Sequence, residues 1–170
     1  MTRRRVVGVI GSGENARRED EVTAFALGKK IAENKWVLLS GGRSSGVMEA
    51  VNRGAKDADR NALTIGILPD SDKKRLSDSV DVGIVTGMGS ARNNINILSC
   101  DVVIACGHGG SGTASEIALA LKSEKQVILL NERPESGRFF ATIGGDLVHQ
   151  TDSVEATISL VEALLSKIKD

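Results

Sequence analysis

Apolar and polar residues alternate along this chain with two different periods. Short runs rich in β-branched residues predict buried strands, and these runs cover residues 6–10, 36–39, 64–68, 82–85, 102–105 and 126–130. Longer stretches with apolar residues at three- and four-residue spacing predict helices, at residues 21–34, 46–58, 90–99, 113–123 and 153–167. Strands and helices that alternate in this way build βαβ units. The pattern therefore predicts one α/β domain over residues 1–170, with a Rossmann-like, open, mainly parallel sheet and helices on both faces.

The composition narrows the range of partners. Lysine plus arginine number 22, as do aspartate plus glutamate, so the formal net charge is zero and no global field attracts nucleic acid. Aromatic residues make up only 2% of the chain, which argues against stacking platforms for single-stranded nucleic acid. We expect no nucleic-acid partner.

The cysteines and the lengths of the apolar runs indicate the cellular compartment of the protein. Cys100 and Cys106 have no histidine or cysteine neighbours spaced to close around zinc, so no structural metal is expected. No apolar run is long enough to cross a bilayer, and the start of the chain has no cleavable apolar region. These features favour a protein of the reducing cytoplasm without a membrane partner.

Three glycine-rich loops follow the first, second and fifth predicted strands, at residues 8–13, 40–46 and 107–113. Glycine lets backbone N–H groups approach an anion closely, and the helix that follows each loop adds unpaired N–H donors and the positive end of its dipole. Parallel strands end at one sheet edge, so the three loops predict a single site for an anionic, phosphate-bearing small molecule. The candidate residues are Gly11, Ser12, Gly13, Gly41, Gly42, Arg43, His108, Gly109, Gly110, Ser111, Gly112 and Thr113.

The first glycine loop also contains a dinucleotide pattern. Residues 11–16 have two glycines followed by an alanine at the required spacing. A bound NAD ribose, however, needs an acidic residue at the end of the second strand, where this chain has Ser40. The chain also lacks a GxxxxGK[ST] loop with its phosphate-binding lysine. We therefore expect no NAD.

A further polar segment follows the fourth predicted strand. It begins with Gly87 and Met88 and continues to Arg92 and Asn93. A guanidinium can fork onto a phosphate, and an amide can recognise a polar ring edge. Arg43 in the second glycine loop is the second candidate cation. For both arginines, an ordinary surface role stays open.

Thr113 and Glu116 lie three residues apart at a predicted helix start. This spacing fits a capping box, in which the hydroxyl caps one N–H group and the carboxylate reaches back to another. It fits equally well a glutamate that points into the ligand crevice. A glutamate in a first helical turn is expected to stay ionised, because the helix dipole favours its charge.

Residues 109–116, GGSGTASE, resemble the PGGxGTxxE signature of the Lonely Guy (LOG) family, and residues 41–48, GGRSSGVM, look like the second-strand loop of that family. The resemblance covers most of the chain and implies a Rossmann-like fold. It also implies an enzyme that cleaves the N-glycosidic bond of nucleoside 5′-monophosphates. Carried over, the catalytic residues of such an enzyme are Arg92 and Glu116.

The chain departs from the enzyme signature at three places. His108 stands where the signature has proline, Ser115 replaces a common second glutamate, and Arg92 lies four residues after Met88 where the enzyme motif has three. The pattern TGMGxARN followed by GxGGxGTxSE is similar to a shorter subgroup that includes the molybdenum cofactor carrier proteins.

The subgroup implies a protein that binds and protects its ligand without cleaving it. Its cargo is molybdopterin, whose terminal phosphate and oxyanionic metal centre suit helix amino ends and glycine loops. The resemblance also implies a homo-oligomer, either a dimer or a tetramer, and we expect Ala114, Ile117, Ala118 and Leu121 to form an apolar outer helix face. Two hypotheses stay open, a cofactor carrier and a phosphoribohydrolase.

Overall fold

Seven parallel strands form the centre of the computed structural model, which describes residues 3–168. The strands are β1 (Val6–Gly11), β2 (Val37–Ser40), β3 (Thr64–Leu68), β4 (Val82–Val85), β5 (Val102–Cys106), β6 (Gln126–Leu130) and β7 (Val148–Thr151). Their spatial order is β4-β3-β2-β1-β5-β6-β7, and every neighbouring pair is parallel. The α-helices in the described residues are α1 (Arg18–Glu33), α2 (Gly46–Ala58), α3 (Asn93–Leu98), α4 (Ser111–Lys122), α5 (Pro134–Gly144) and α6 (Val154–Leu165).

The helices cover both faces of the sheet. Helices α1, α2 and α6 pack on one face, where Leu27 and Val161 are buried in the core. Helices α3, α4 and α5 pack on the other, where Ile97 and Ile117 are buried. Strands covered on both faces need apolar residues at consecutive positions, which explains the β-branched runs of the sequence. The predicted Rossmann-like α/β fold is confirmed.

The strand order reverses beside β1. The chain places β2, β3 and β4 on one side of β1, then returns so that β5 pairs with its other side. Gly11 lies opposite Cys106 at the carboxyl ends of this central pair. Open parallel sheets bind ligands beyond the strand ends at such a reversal. The first and third glycine loops therefore lie side by side where a ligand site is expected.

The sequence pattern does not predict α5 or β7. Helix α5 contains Gly137 and Gly144, which weaken the helical signal, and β7 has the largely polar sequence VHQT. The predicted strand at residues 82–85 exists, but its predicted burial is wrong. It is the edge strand β4, in which Val82 and Ile84 are 45% and 43% exposed.

Helix α4 differs from its prediction in both its start and its orientation. It begins at Ser111 and not at Thr113. The expected apolar outer face is wrong, because Ile117 is fully buried in the core and Leu121 packs against the same core. Among residues 3–168, no helix has both the length and the apolar character that a membrane span requires.

Helices α1 and α2 cross in close contact. A methyl group at Gly28 would overlap the backbone of Val51, and one at Gly54 would overlap the backbone of Phe25. Only a residue without a side chain allows backbones to approach so closely. Since α1 and α2 follow the first and second glycine loops, this contact also fixes those two loops relative to each other.

We expect Gly28→Ala to lower the free energy of unfolding by about 1–3 kcal/mol, because the added methyl group forces the two helices apart. Urea unfolding followed by circular dichroism measures the change. Gly112→Ala is the matched control, because a methyl group there meets no atom within 4 Å, and we expect it to leave stability unchanged or slightly higher. Equal unfolding midpoints for Gly28→Ala and the wild type contradict the close crossing.

Candidate functional site

A cleft of about 420 Å³ opens at the carboxyl edge of the sheet, at the reversal of strand order. The first and second glycine loops form part of its wall, and the third loop leads into the start of α4 on another side. Pro69, which follows β3, and Arg92, which precedes α3, complete the lining. The predicted meeting of loops from separate strands is therefore present.

The start of α4 presents free backbone donors. The first hydrogen bond of this helix runs from the N–H of Ala114 to the carbonyl oxygen of Gly110, at 2.9 Å. The N–H groups of Ser111, Gly112 and Thr113 precede it and have no acceptor within the helix. All three residues line the cleft, and no side chain of the described residues caps the helix. Together with the helix dipole, these donors form an anion-binding end.

The capping-box interpretation of Thr113 and Glu116 is wrong. Gly110 is the N-cap residue of α4, which places Glu116 in the second turn and beyond reach of the helix start. Glu116 lines the cleft, as the alternative interpretation requires.

Arg92, Asn96 and Glu116 form a buried polar cluster, with exposures of 7%, 1% and 8%. Arg92 and Glu116 line the cleft, and Asn96 does not. The Nη1 atom of Arg92 lies 3.7 Å from Oε1 of Glu116. The Nδ2 atom of Asn96 donates to the same oxygen at 3.3 Å. Within the described residues, Nε of Arg92 and Oδ1 of Asn96 are buried without a hydrogen-bond partner. The cluster therefore retains one donor and one acceptor, which buried polar atoms normally have satisfied.

Burial changes the charge balance of this cluster. Loss of solvation raises the pKa of Glu116, and the opposing effects of Arg92 and Asn96 are smaller. Loss of solvation also lowers the pKa of Arg92, against the attraction of Glu116. The expected stabilisation of the Glu116 carboxylate by the helix dipole is wrong, because Glu116 lies beyond the first turn of α4 and burial raises its pKa.

Gly41 leaves room for the guanidinium of Arg92. A methyl group at this position would lie 2.8 Å from Nη2 of Arg92 and 2.6 Å from the sulfur of Met48. The second cation of the cleft, Arg43, has its Nε atom 3.4 Å from Oδ2 of Asp70. Each of the two arginines that line the cleft therefore faces a carboxylate that partly balances its charge: Arg92 faces Glu116, and Arg43 faces Asp70.

Most of the predicted site residues come together around the cleft. Those that line it are Gly11, Ser12, Gly13, Gly41, Arg43, Arg92, Asn93, Gly110, Ser111, Gly112, Thr113 and Glu116. The predicted residues outside its lining are Gly42, Gly87, Met88, His108 and Gly109.

The residues outside the cleft have other neighbours. The Nδ1 atom of His108 accepts a hydrogen bond from Nε of Arg133 at 3.3 Å, on the side of α5. Gly42 packs against the backbone of Gly66, and Met88 is half exposed. These positions belong to the same loops as the cleft residues, but their side chains or Cα atoms face elsewhere.

Sequence reasoning missed several residues of the lining. It also missed buried Asn96, which contacts Glu116 but does not line the cleft, because a polar residue inside a helix gives no signal of burial beside a site. The missed lining residues lie within, or within two residues of, the predicted glycine-rich segments, except for Pro69, which follows β3. They are Val9, Ile10, Glu14, Asn15, Met48, Pro69, Gly89 and Ser90.

An open parallel sheet with a polar cleft between glycine loops, at the point where the strand order reverses, defines a Rossmann-like α/β protein. More narrowly, the chain belongs to the SLOG cluster4 family, whose sequence profile matches residues 4–163. The resemblance to LOG-type proteins, drawn from the glycine motifs, is confirmed.

Two solved structures are similar over nearly the whole chain. One is the molybdenum cofactor binding protein from the phototrophic bacterium Rippkaea orientalis, with a TM-score of 0.93 and 50% identity over 97% of this chain and 99% of that chain. The other is the Moco carrier protein from Chlamydomonas reinhardtii, with a TM-score of 0.90 and 47% identity over 98% and 100% of the two chains. A protein of Archaeoglobus fulgidus is 46% identical over 124 residues, which are 73% of this chain and 78% of that protein.

We expect sulfate, which stays a dianion across the acid range, to bind the cleft more tightly as the pH falls. Protonation of Glu116 leaves the charge of Arg92 uncompensated, and burial moves this step above the pH at which an ordinary carboxyl titrates. At neutral pH, Glu116→Gln should bind sulfate about tenfold more tightly, equivalent to about 1.4 kcal/mol. Calorimetric titration of both proteins over a pH series measures the effect.

Glu14→Gln is the control for this measurement, because Glu14 lines the same cleft but is exposed to solvent. We expect its sulfate affinity to stay close to that of the wild type. Identical pH profiles for the wild type and Glu116→Gln would show that Glu116 does not set the charge of the site.

Proposed function

We propose that this protein binds and carries molybdenum cofactor. The observation that carries the proposal is the cleft itself, in which the free N–H groups at the start of α4 and the buried guanidinium of Arg92 line one cavity. Such a cavity suits a ligand with more than one anionic group. The whole-length similarity to the two cofactor-binding structures supports the same cargo.

The residues of the cleft fit the parts of this cargo. The N–H groups of Ser111 to Thr113 are the donors for the pterin phosphate, since a helix start binds phosphate without a cationic side chain. Arg92 and Ser12 offer further donors, and the unpartnered Nε of Arg92 is already desolvated. Asn93 offers an amide for the polar edge of the pterin ring.

A phosphoribohydrolase is the second candidate, because Arg92 and Glu116 face the same cleft as the LOG resemblance implies. The number and the placement of the acids weigh against it. Glycosidic cleavage normally uses two carboxyl groups, and Glu116 already faces Arg92 and Asn96. The remaining acid of the lining, Glu14, is exposed. The site therefore supports binding better than glycosidic cleavage.

The proposal extends to a homo-oligomer in the cytoplasm. Exposed apolar residues on β4 and α5 supply surface that a second copy can cover, and they are Val82, Ile84, Val85, Phe139 and Ile143.

The two cysteines support the cytoplasmic location. Cys100 and Cys106 are both free and buried, and burial raises the pKa of each thiol to about 12. Unpaired thiols are typical of proteins in a reducing compartment.

The protein should slow the oxidative loss of molybdenum cofactor in air. The cofactor that survives is measured by its ability to restore activity to a cofactor-free molybdoenzyme. We expect Arg92→Ala to lose most of the protection, because it removes the buried guanidinium of the cleft. Arg138→Ala, which removes an exposed arginine from α5, is the matched control and should protect like the wild type. No protection at micromolar wild-type protein would refute the proposal.

Incubation with AMP or an N6-substituted AMP separates the carrier from the hydrolase. We expect no release of free base by the wild-type protein, as measured by chromatography, because the single buried acid of the site is poorly suited to glycosidic cleavage. Base release that disappears in Glu116→Ala would establish the hydrolase instead. Cofactor protection in the same preparation decides whether the carrier assignment also stands.

A further inference from the structure

We infer that Asp20, paired with Arg17, is a positioning residue that fixes the third glycine loop for anion binding. This inference rests on the proposed function in so far as the loop holds the cargo. Asp20 does not line the cleft, so it acts through the loop and not by contact with the ligand. It is 2% exposed and lies in the first turn of α1, the helix that follows the first glycine loop along the chain.

Arg17 and Asp20 form a two-point ion pair. The Nε atom of Arg17 lies 3.0 Å from Oδ2 of Asp20, and Nη2 lies 2.6 Å from Oδ1. Two parallel contacts between a guanidinium and a carboxylate fix the orientation of both groups. The positive end of α1 further favours the negative charge of Asp20. The carboxylate is therefore held in one place under the third loop.

The third glycine loop is built around this carboxylate. The backbone N–H of His108 donates to Oδ2 of Asp20 at 3.3 Å. Gly107 has a φ of +74°, and a side chain there would overlap the carboxyl group of Asp20. The turn thus needs glycine for two reasons, its left-handed backbone and the space that Asp20 occupies.

The carbonyl oxygen of His108 also accepts a hydrogen bond. Oγ of Ser12 donates to the carbonyl oxygen of His108 at 3.3 Å. The N–H and the carbonyl of His108 are therefore both bonded to residues in or near the first glycine loop. Helix α4 begins three positions later, at Ser111. Fixing His108 consequently fixes the free N–H groups that open toward the anion.

Without this pairing, the anion has to order the third loop when it binds, and binding bears the conformational entropy cost. We expect Asp20→Ala to weaken the binding of inorganic phosphate about tenfold. Asp20→Asn keeps an oxygen that can accept from the N–H of His108 but loses the charge pair, so it should recover part of the affinity. Phosphate titrations followed by amide NMR shifts of residues 109–113 measure these dissociation constants.

Glu19→Ala is the matched control. Glu19 also faces Arg17, at 3.5 Å from Nη1, but it is exposed and does not contact the third loop. Its phosphate affinity should equal that of the wild type. Arg17→Ala removes the other partner of the ion pair. It replaces Asp20→Ala as the test if Asp20→Ala fails to fold. We expect Arg17→Ala to weaken phosphate binding in the same direction as Asp20→Ala.

Hydrogen exchange of the His108 amide reports loop positioning without any ligand. This amide should exchange faster in Asp20→Ala and Arg17→Ala than in the wild type and Glu19→Ala. Unchanged exchange together with unchanged phosphate affinity in a folded Asp20→Ala or Arg17→Ala variant overturns the inference.

The failure of the inference and that of the carrier assignment are distinguishable. If the wild type gives no protection to molybdenum cofactor while exchange and phosphate affinity still depend on Asp20, the inference stands and the cargo assignment fails. If the wild type protects the cofactor and folded Asp20→Ala protects it equally well, the inference fails alone.

Discussion

The parallel pairing of β1 with both β2 and β5 is the constraint on which the site depends. This pairing puts the carboxyl ends of all three strands at one edge of the sheet, and the three glycine loops with them. Each loop leads into a helix whose first N–H groups lack acceptors in the helix. Of these helix starts, that of α4 lines the cleft, so strand order places its free N–H donors opposite the first and second loops.

The cleft balances attraction for an anion against the cost of burying charge. Arg92 is buried, and a buried cation without a partner is strongly disfavoured. Glu116 and Asn96 offset this cost in the absence of an anion, but the distance of 3.7 Å between Arg92 and Glu116 is loose for an ion pair. An anionic cargo therefore meets a cation that is desolvated but not fully satisfied. This arrangement suits reversible holding of a ligand.

The fold and the glycine loops could be predicted because they depend on local sequence. Buried strands need β-branched runs, and close backbone approaches need glycine, so both leave a visible pattern. The buried polar residues could not be predicted in the same way. Asp20 and Asn96 lie among other polar residues of helices, and only the tertiary packing decides that they are enclosed. Edge strand β7 and helix α5 were missed because their residues carry weak propensities.

The backbone contact between α1 and α2 has a mechanical consequence for ligand exchange. The two helices are in contact through Gly28 and Gly54. The loops that precede them therefore form one rigid side of the cleft. Interiors packed this closely do not deform gradually. The third loop is also tied to this side through His108, so we expect any widening of the entrance to involve the 3₁₀ turn at Gly89–Arg92. We therefore expect a ligand to enter and leave on that side of the cleft.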